Sequence, residues 1–206
     1  GKLENVKLLS EHGVRAMTLT WNGQNEIGSG VCVENPRGIT SFGRGVIHEM
    51  EKYKIAVDVS HASEKLFYDV ADIAKRPFIA THSNSRAICP HKRNLTDEQF
   101  EIISKSGGIV GLVFARDFLT DNVEAKMKDI IRHAEHFLSI GGENSICLGS
   151  DFDGTDIPKD MTGIESLETL YELFLRENYN ESLLNKIFFE NALNFYQNFD
   201  KSLNLG

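Results

Sequence analysis

Short apolar runs alternate along the chain with longer segments in which apolar side chains recur every three or four positions. The apolar runs are rich in β-branched residues and lie at 14–20, 55–60, 78–81, 109–114 and 145–149. Runs of this kind are typical of buried strands. Because a helical segment separates each run from the next, we expect the strands to pair in parallel through right-handed connections.

The longer segments predict helices at 3–12, 42–53, 64–74, 96–106, 123–140, 165–177 and 181–199. Several of these segments begin beside a residue that is suited to cap a helix. Ser41, Ser63 and Asn180 stand at such positions, and Thr96 is followed three residues later by Gln99, which is a capping-box pattern.

The order of strands and helices places the chain in the α/β class. It fits either a doubly wound open sheet or part of a (β/α)8 barrel of the TIM type. No GxGxxG or GxxxxGK[ST] sequence follows any of the apolar runs, which disfavours the nucleotide-binding open sheets. We therefore expect residues 1–206 to form a single domain that is a partial (β/α)8 barrel. In such a barrel the chemistry lies at the carboxyl ends of the strands.

Charge and cysteine content limit the possible partners. The 206 residues carry 30 acidic and 22 basic side chains, a net charge of -8, with no large basic cluster. This balance argues against nucleic acid or an anionic membrane surface as a partner, and no apolar run reaches the 18 or so residues of a spanning helix. Cys32, Cys89 and Cys147 are odd in number and lack CxxC spacing, so we expect free thiols and a reducing, cytoplasmic location.

Titratable side chains follow three of the predicted strands at the point where each strand ends. His61 follows the second strand, His82 the third and Asp151 the fifth. Neutral imidazole is a common zinc ligand, and a nearby aspartate can hold a metal-bound water and accept its proton. The sequence therefore predicts a metal-dependent hydrolase site at one rim. The alternative is that each histidine caps the helix after it.

Two further groups of polar residues have weaker signals. Arg93 lies in a short basic stretch, and a guanidinium there can bind the carboxylate of a substrate bidentately; the alternative is a solvated loop charge. His133 and His136 are three residues apart on a predicted helix but lack HExxH spacing, so we expect them at the surface. No GxSxG sequence supports a serine nucleophile.

Five stretches of this chain resemble, in order, the membrane dipeptidase (renal dipeptidase) family of zinc metallopeptidases. They read GVRAMTLT at 13–20, DVSHAS at 58–63, THSNS at 81–85, RNLTD at 93–97 and GSDFDG at 149–154. The resemblance implies a (β/α)8 barrel that holds two zinc ions bridged by a glutamate and cleaves dipeptides with a metal-bound hydroxide. By motif, His61 and His82 match the ligands of the second zinc. Arg93 matches the arginine that receives the substrate carboxylate, and Asp151 the aspartate that binds the amino end and handles protons.

The chain also departs from the family pattern. The His-x-Asp pair of the first zinc is absent from an N-terminal strand, and the bridging glutamate is expected before the first helix, so the chain resembles the C-terminal two-thirds of the family. Trp21 stands where some members carry a substrate-binding histidine. We expect this chain to hold at most one zinc ion, weakly, to be inactive alone, and to be able to associate with itself through open sheet edges. The alternatives are a truncated or degenerate non-catalytic barrel fragment and an amidohydrolase-like enzyme that acts on a non-peptide amide.

Overall fold

Parallel strands stand side by side in chain order in the computed structural model, which describes residues 1–122 and 124–201. Strand β1 (Ala16–Thr18) pairs with β2 (Ala56–Asp58), and β3 (Val110–Val113) pairs with β4 (Ile146–Ser150). Between the two pairs lies the segment 78–81, in which Ile79 bridges to Asp58 of β2 and Ala80 bridges to Val110 of β3. The described residues therefore contain five neighbouring parallel segments, the arrangement of part of a (β/α)8 barrel.

The third predicted strand differs in detail from its neighbours. Ile79 exchanges backbone hydrogen bonds with Val57 and Val59 of the β2 segment, whereas Ala80 exchanges them with Ile109 and Gly111 on the other side. Because Ile79 and Ala80 bond to different neighbouring strands, the segment makes no two consecutive residue pairs with either strand. The segment 78–81 therefore links the two pairs of strands without forming a regular ladder of its own.

Helices connect and cover the strands. Their bounds are α1 Glu4–Glu11, α2 Ser41–Lys52, α3 Glu64–Ile73, α4 Asp97–Lys105, α5 Arg116–Leu119, α6 Met127–Ser139, α7 Ser166–Arg176, α8 Glu181–Asn185 and α9 Asn191–Lys201, with a 3₁₀ turn at Gly142–Asn144 and a π-helical turn at Lys186–Glu190. In the described residues no helix is long and apolar enough to cross a membrane.

The helix starts test the capping predictions. The caps at Ser63 and Asn180 and the capping box of Thr96 are confirmed. The cap predicted at Ser41 is wrong, because the hydroxyl of Thr40 accepts the hydrogen bond from the amide of Gly43 and Ser41 is already helical.

The long helix predicted at 123–140 begins later than expected, at Met127 in α6. Its predicted first residue, Val123, lies outside the described residues. The short helix α5 was not predicted, since its four residues are too few to show a helical period.

The two faces of the sheet bury different apolar residues. The outer face packs against the helices that connect the strands; its members include Val57, Val59, Phe78, Ala80, Val110, Leu112 and Ile146. The inner face carries Ala56, Ile79, Ile109 and Cys147, and these residues pack against Phe195 and Phe199 of α9. Successive strand side chains point to opposite faces, so the same short runs supply both layers.

The π-helical turn lies where the last helical segment passes from one layer to the other. Leu184 and Ile187 pack in the outer layer, whereas Phe195 and Phe199 pack on the inner one. A π turn inserts one residue into the helix and rotates the following side chains by about 100°. The turn therefore directs the apolar face of α9 towards the inside of the sheet.

His133 is fully buried, so the prediction that it lies at the surface is wrong. Its Nδ1 accepts a hydrogen bond from the amide of Ser85 at 3.1 Å, and its Nε2 donates to the carbonyl oxygen of Leu119 at 2.9 Å. The neutral ring thereby connects α6 to the loop after segment 78–81 and to the end of α5. Burial, with smaller contributions from Arg132 and His136, lowers the pKa of His133 to about 4, although the bond to Leu119 and the charge of Asp129 oppose this.

We expect the free energy of unfolding to decrease as the pH is lowered, partly because of His133. The folded pKa of about 4 lies below the ordinary value of 6.5, so the unfolded chain binds more protons between these values and stability is lost as pH falls through this window. From pH 7.5 to pH 5 this residue alone accounts for about 2 kcal/mol. Urea unfolding of wild type and His133→Gln at the two pH values measures the difference. Exposed His48→Gln is the control, and an unchanged pH slope in His133→Gln would contradict the assignment.

Candidate metal centre

Two imidazole rings meet at the rim formed by the carboxyl ends of the strands. His61 follows β2 and His82 follows segment 78–81, and their Nε2 atoms lie 2.9 Å apart. The ring centroids are 4.9 Å apart and the planes are tilted by 58°. Since both rings are partly buried, the nitrogens face each other across a sheltered space.

Asn22 orients the ring of His61. The side-chain oxygen of Asn22 lies 2.8 Å from Nδ1 of His61. An amide oxygen only accepts hydrogen bonds, so Nδ1 carries the proton of the neutral ring. The Nε2 atom of His61 therefore presents a lone pair towards His82.

Thr81 orients the ring of His82 in the same sense. The Thr81 hydroxyl donates its hydrogen to Oδ2 of Asp58 at 2.6 Å, so it acts as the acceptor for Nδ1 of His82 at 2.8 Å. With its proton on Nδ1, His82 also presents a lone pair at Nε2. Two lone pairs thus converge on one point.

The surroundings keep both rings neutral. Burial, the positive charge of Arg93 and the neighbouring His82 together lower the pKa of His61 to about 3, while Asp58 opposes them. Burial also lowers the pKa of His82, with Arg93 adding to the effect while Asp58 and Asp151 oppose it. A proton shared between the rings is therefore disfavoured, whereas a metal cation bonded to both nitrogens would relieve their repulsion. In tetrahedral zinc coordination two such nitrogens are about 3.3 Å apart, close to the spacing seen here.

Asp58 also belongs to the site, although no motif in the sequence assigns it a role. It is 1% exposed, and its Oδ1 accepts the amides of Ser60 and Thr81 at 2.9 and 3.0 Å. Its Oδ2 accepts the hydroxyls of Thr18 and Thr81, each at 2.6 Å. The sequence did carry a signal for Asp58, since it is a carboxylate inside the apolar run at 55–60. A buried charge of this kind needs several hydrogen-bond partners.

Arg93 lies against the histidine pair and is only 6% exposed, so it is not a solvated loop charge. Its Nη2 donates to the carbonyl oxygen of His82 at 3.2 Å, and the guanidinium carbon lies 5.5 Å from the ring centre of Phe118. Among the described side chains no carboxylate lies within ion-pair distance of Arg93. Burial lowers its pKa to about 10, opposed by Asp58 and Asp151, so it stays charged at neutral pH.

Asp151 follows β4 on the same rim and has a strained backbone. Its φ is 67° and that of His61 is 66°, a region that non-glycine residues rarely adopt. The negative charge of Asp151 acts on both His82 and Arg93, although no hydrogen bond joins it to either. The four predicted site residues thus share one rim, where His61 contacts His82, Arg93 bonds to the backbone of His82, and Asp151 acts on His82 and Arg93 through its charge.

The described residues offer two candidate ligands for a metal ion, His61 and His82. Within 1–122 and 124–201 no group of three or more His, Cys, Asp or Glu side chains is placed to hold a metal ion. The histidine pair fits zinc in donor type and spacing, but a zinc ion in a protein usually has four ligands. Two imidazoles would therefore supply half of a coordination shell.

A profile of the membrane dipeptidase family, peptidase family M19, matches residues 1–203. The chain belongs to the membrane dipeptidase family. This confirms the resemblance inferred from the five sequence stretches. It also places the histidine pair in a family of metallopeptidases.

Three similar proteins extend this result. An uncharacterised protein in the pqqA 5′ region of Klebsiella pneumoniae is 37% identical over 208 residues, covering 96% of this chain and 77% of that protein. A metallopeptidase from Rhodobacter sphaeroides, solved with a phosphinate mimic of the dipeptide L-Ala-D-Ala, is 34% identical with a TM-score of 0.88, over 94% of this chain and 58% of its own. The dipeptidase AC of family M19 is also 34% identical with a TM-score of 0.88, over 94% of this chain and 60% of its own. The chain thus spans 58% and 60% of these two solved peptidases, and the likeness confirms the barrel-type α/β fold.

Metal affinity should depend on the histidine pair and on Asn22. We expect His61→Ala or His82→Ala to abolish measurable zinc binding in calorimetric titration, because one imidazole cannot hold the ion. Asn22→Ala should weaken binding by about 10- to 100-fold, since the ring of His61 loses its orienting partner. His48→Ala on α2 is the control. Unchanged zinc affinity in both single histidine variants would exclude this site.

Proposed function

We propose that this chain carries the part of a zinc dipeptidase centre that binds the second metal and the substrate. The observation that supports the proposal most strongly is the convergence of two imidazole lone pairs, with His61 and His82 Nε2 atoms 2.9 Å apart. Zinc held there would supply a bound water whose pKa falls to about 7, and hence a hydroxide for amide hydrolysis at neutral pH. The other ligands of a two-zinc centre, including a bridging carboxylate, would come from outside the described residues.

Arg93 and Asp151 would bind the two charged ends of a dipeptide, its carboxylate and its ammonium group respectively. Arg93 is a buried cation that makes no ion pair with any described carboxylate. Its guanidinium could therefore bind the carboxylate of a substrate bidentately. Asp151 would bind the ammonium group and hold or move a proton at its carboxylate. The Rhodobacter sphaeroides relative was solved with a mimic of a dipeptide, which supports this class of substrate.

We also propose that the 206-residue chain alone is a binding unit without appreciable activity. The histidine pair offers two ligands, and hydrolysis requires a metal that is held firmly enough to acidify its water. This favours a non-catalytic state of the isolated chain over an amidohydrolase-like activity on another amide. The cytoplasmic location and self-association through sheet edges stay predictions.

Dipeptide binding should depend on the carboxylate of the ligand through Arg93. In the zinc-loaded chain, Arg93→Ala should weaken binding of a simple dipeptide by about 10- to 100-fold, because a charge-assisted bidentate contact is lost. Arg93→Lys should recover part of the loss, since the charge remains without the planar fork. Binding of the same dipeptide with an amidated carboxyl end should be insensitive to both changes. Arg176→Ala on α7 is the control, and an equal loss for the amide would rule out this role.

Activity measurements test the remaining part of the proposal. With added Zn²⁺ the 206-residue chain should hydrolyse no simple dipeptide above background, while a protein that supplies the missing ligands should be active. In that active protein, His61→Ala and Asp151→Asn should impair turnover more than Arg93→Lys does. Metal-dependent turnover by the 206-residue chain at a rate near that of the active protein would show that its ligands are complete.

A further inference from the structure

A cavity of about 20 Å³ lies beside Arg93 in the loop after segment 78–81. Its walls include the apolar side chains of Val59 and Phe67 and the polar residues Ser83, Arg93 and Asn94. A cavity needs about 10–15 Å³ to hold a water molecule, so this one has room for a single water.

Three polar atoms of residues that line the cavity have no hydrogen-bond partner among the described protein atoms. They are Oγ of Ser83, Nε of Arg93 and Oδ1 of Asn94. Ser83 and Asn94 are each 1% exposed and Arg93 is 6% exposed, so bulk water does not reach them freely. Buried polar groups in native proteins are almost always paired with protein or with ordered water.

The direction of each possible hydrogen bond is fixed by its chemistry. The Nδ2 group of Asn94 donates to the carbonyl oxygens of Cys89 and Phe118 at 2.9 and 2.8 Å, which uses both amide hydrogens and leaves Oδ1 as an acceptor. Nε of Arg93 is only a donor, while Oγ of Ser83 can donate or accept.

We infer that this cavity is a binding site for one ordered water molecule that positions the guanidinium of Arg93. The water accepts a hydrogen bond from Nε of Arg93 and donates one to Oδ1 of Asn94. It forms a third hydrogen bond with Oγ of Ser83, as donor or acceptor. An anion could not pair with the acceptor oxygen of Asn94, and a cation could not pair with the donor Nε of Arg93. A neutral molecule that both donates and accepts satisfies all three atoms.

This water has a consequence for the substrate site that rests on the proposed function. It holds Nε of Arg93, and the carbonyl oxygen of His82 holds one Nη2 hydrogen. The guanidinium plane is then fixed at both ends, and its remaining Nη hydrogens are free to bind a carboxylate. An arginine that is ordered before the ligand arrives loses less conformational entropy on binding.

A high-resolution crystal structure of the 206-residue chain tests the water directly. We expect one density peak within about 3.2 Å of all three atoms. In solution, the Nε–H resonance of Arg93 should show a rotating-frame cross-peak to water. A dry cavity, or an Arg93 Nε bonded to a protein acceptor, would overturn the inference even if no variant folds.

A pair of serine variants provides the matched comparison. Ser83→Val replaces the unpartnered hydroxyl of a residue that lines the cavity with methyl groups, so the water peak and the cross-peak should be lost. The hydroxyl of Ser85 is also buried without a partner, but Ser85 does not line the cavity, so Ser85→Ala should keep both signals. A cross-peak that persists in Ser83→Val would overturn the inference.

Dipeptide titration of the zinc-loaded variants separates this inference from the proposed function. Ser83→Val should weaken binding by about two- to tenfold, the entropic cost of one unrestrained side chain, and Ser85→Ala should not. If wild type shows the water but binds no dipeptide, the proposed function fails and the water site stands. If wild type binds dipeptide and lacks the water, the reverse holds.

Discussion

The buried carboxylate of Asp58 is the interaction on which the rest of the site depends. It lies at the end of β2 and is 1% exposed, so it has lost most of its contact with water. Two amides and two hydroxyls, from β1, the β2 end and segment 78–81, compensate this loss. The same bonds hold the carboxyl ends of β1, β2 and segment 78–81 next to one another at the rim. Through the Thr81 hydroxyl they also decide which nitrogen of His82 carries its proton.

The electrostatics of the rim favour neutral imidazoles and an anionic ligand together. Burial and, after it, the charge of Arg93 lower the pKa of both histidines, which keeps their lone pairs available for a metal cation. Asp58 opposes the shift at both histidines and Asp151 opposes it at His82, and both carboxylates stabilise the buried guanidinium, since their charges raise its pKa. The described rim therefore balances one buried cation against two carboxylates, and the cation is left without a carboxylate in direct contact.

The loop that carries Arg93 is held from behind by the core. His133 of α6 bonds to the backbone of Ser85 in this loop and of Leu119 at the end of α5. Phe118, next to Leu119, stacks on His91 with ring centres 4.4 Å apart and lies under the guanidinium of Arg93. The position of Arg93 thus depends on a buried histidine that accepts the bond from the Ser85 amide only while its ring is neutral.

The sequence by itself determined the α/β alternation, most of the caps and the rim on which His61, His82 and Asp151 lie. Apolar period and capping chemistry are local properties, and parallel pairing alone sends the carboxyl ends of strands to the same side. Sequence could not show that Asn22 orients His61, that His133 is buried or that α9 covers the inner face of the sheet. The first two contacts join residues 39 and 48 positions apart, and the third depends on one extra residue in a π turn. Only tertiary structure decides such contacts, because strand register and helix rotation select which distant side chains meet.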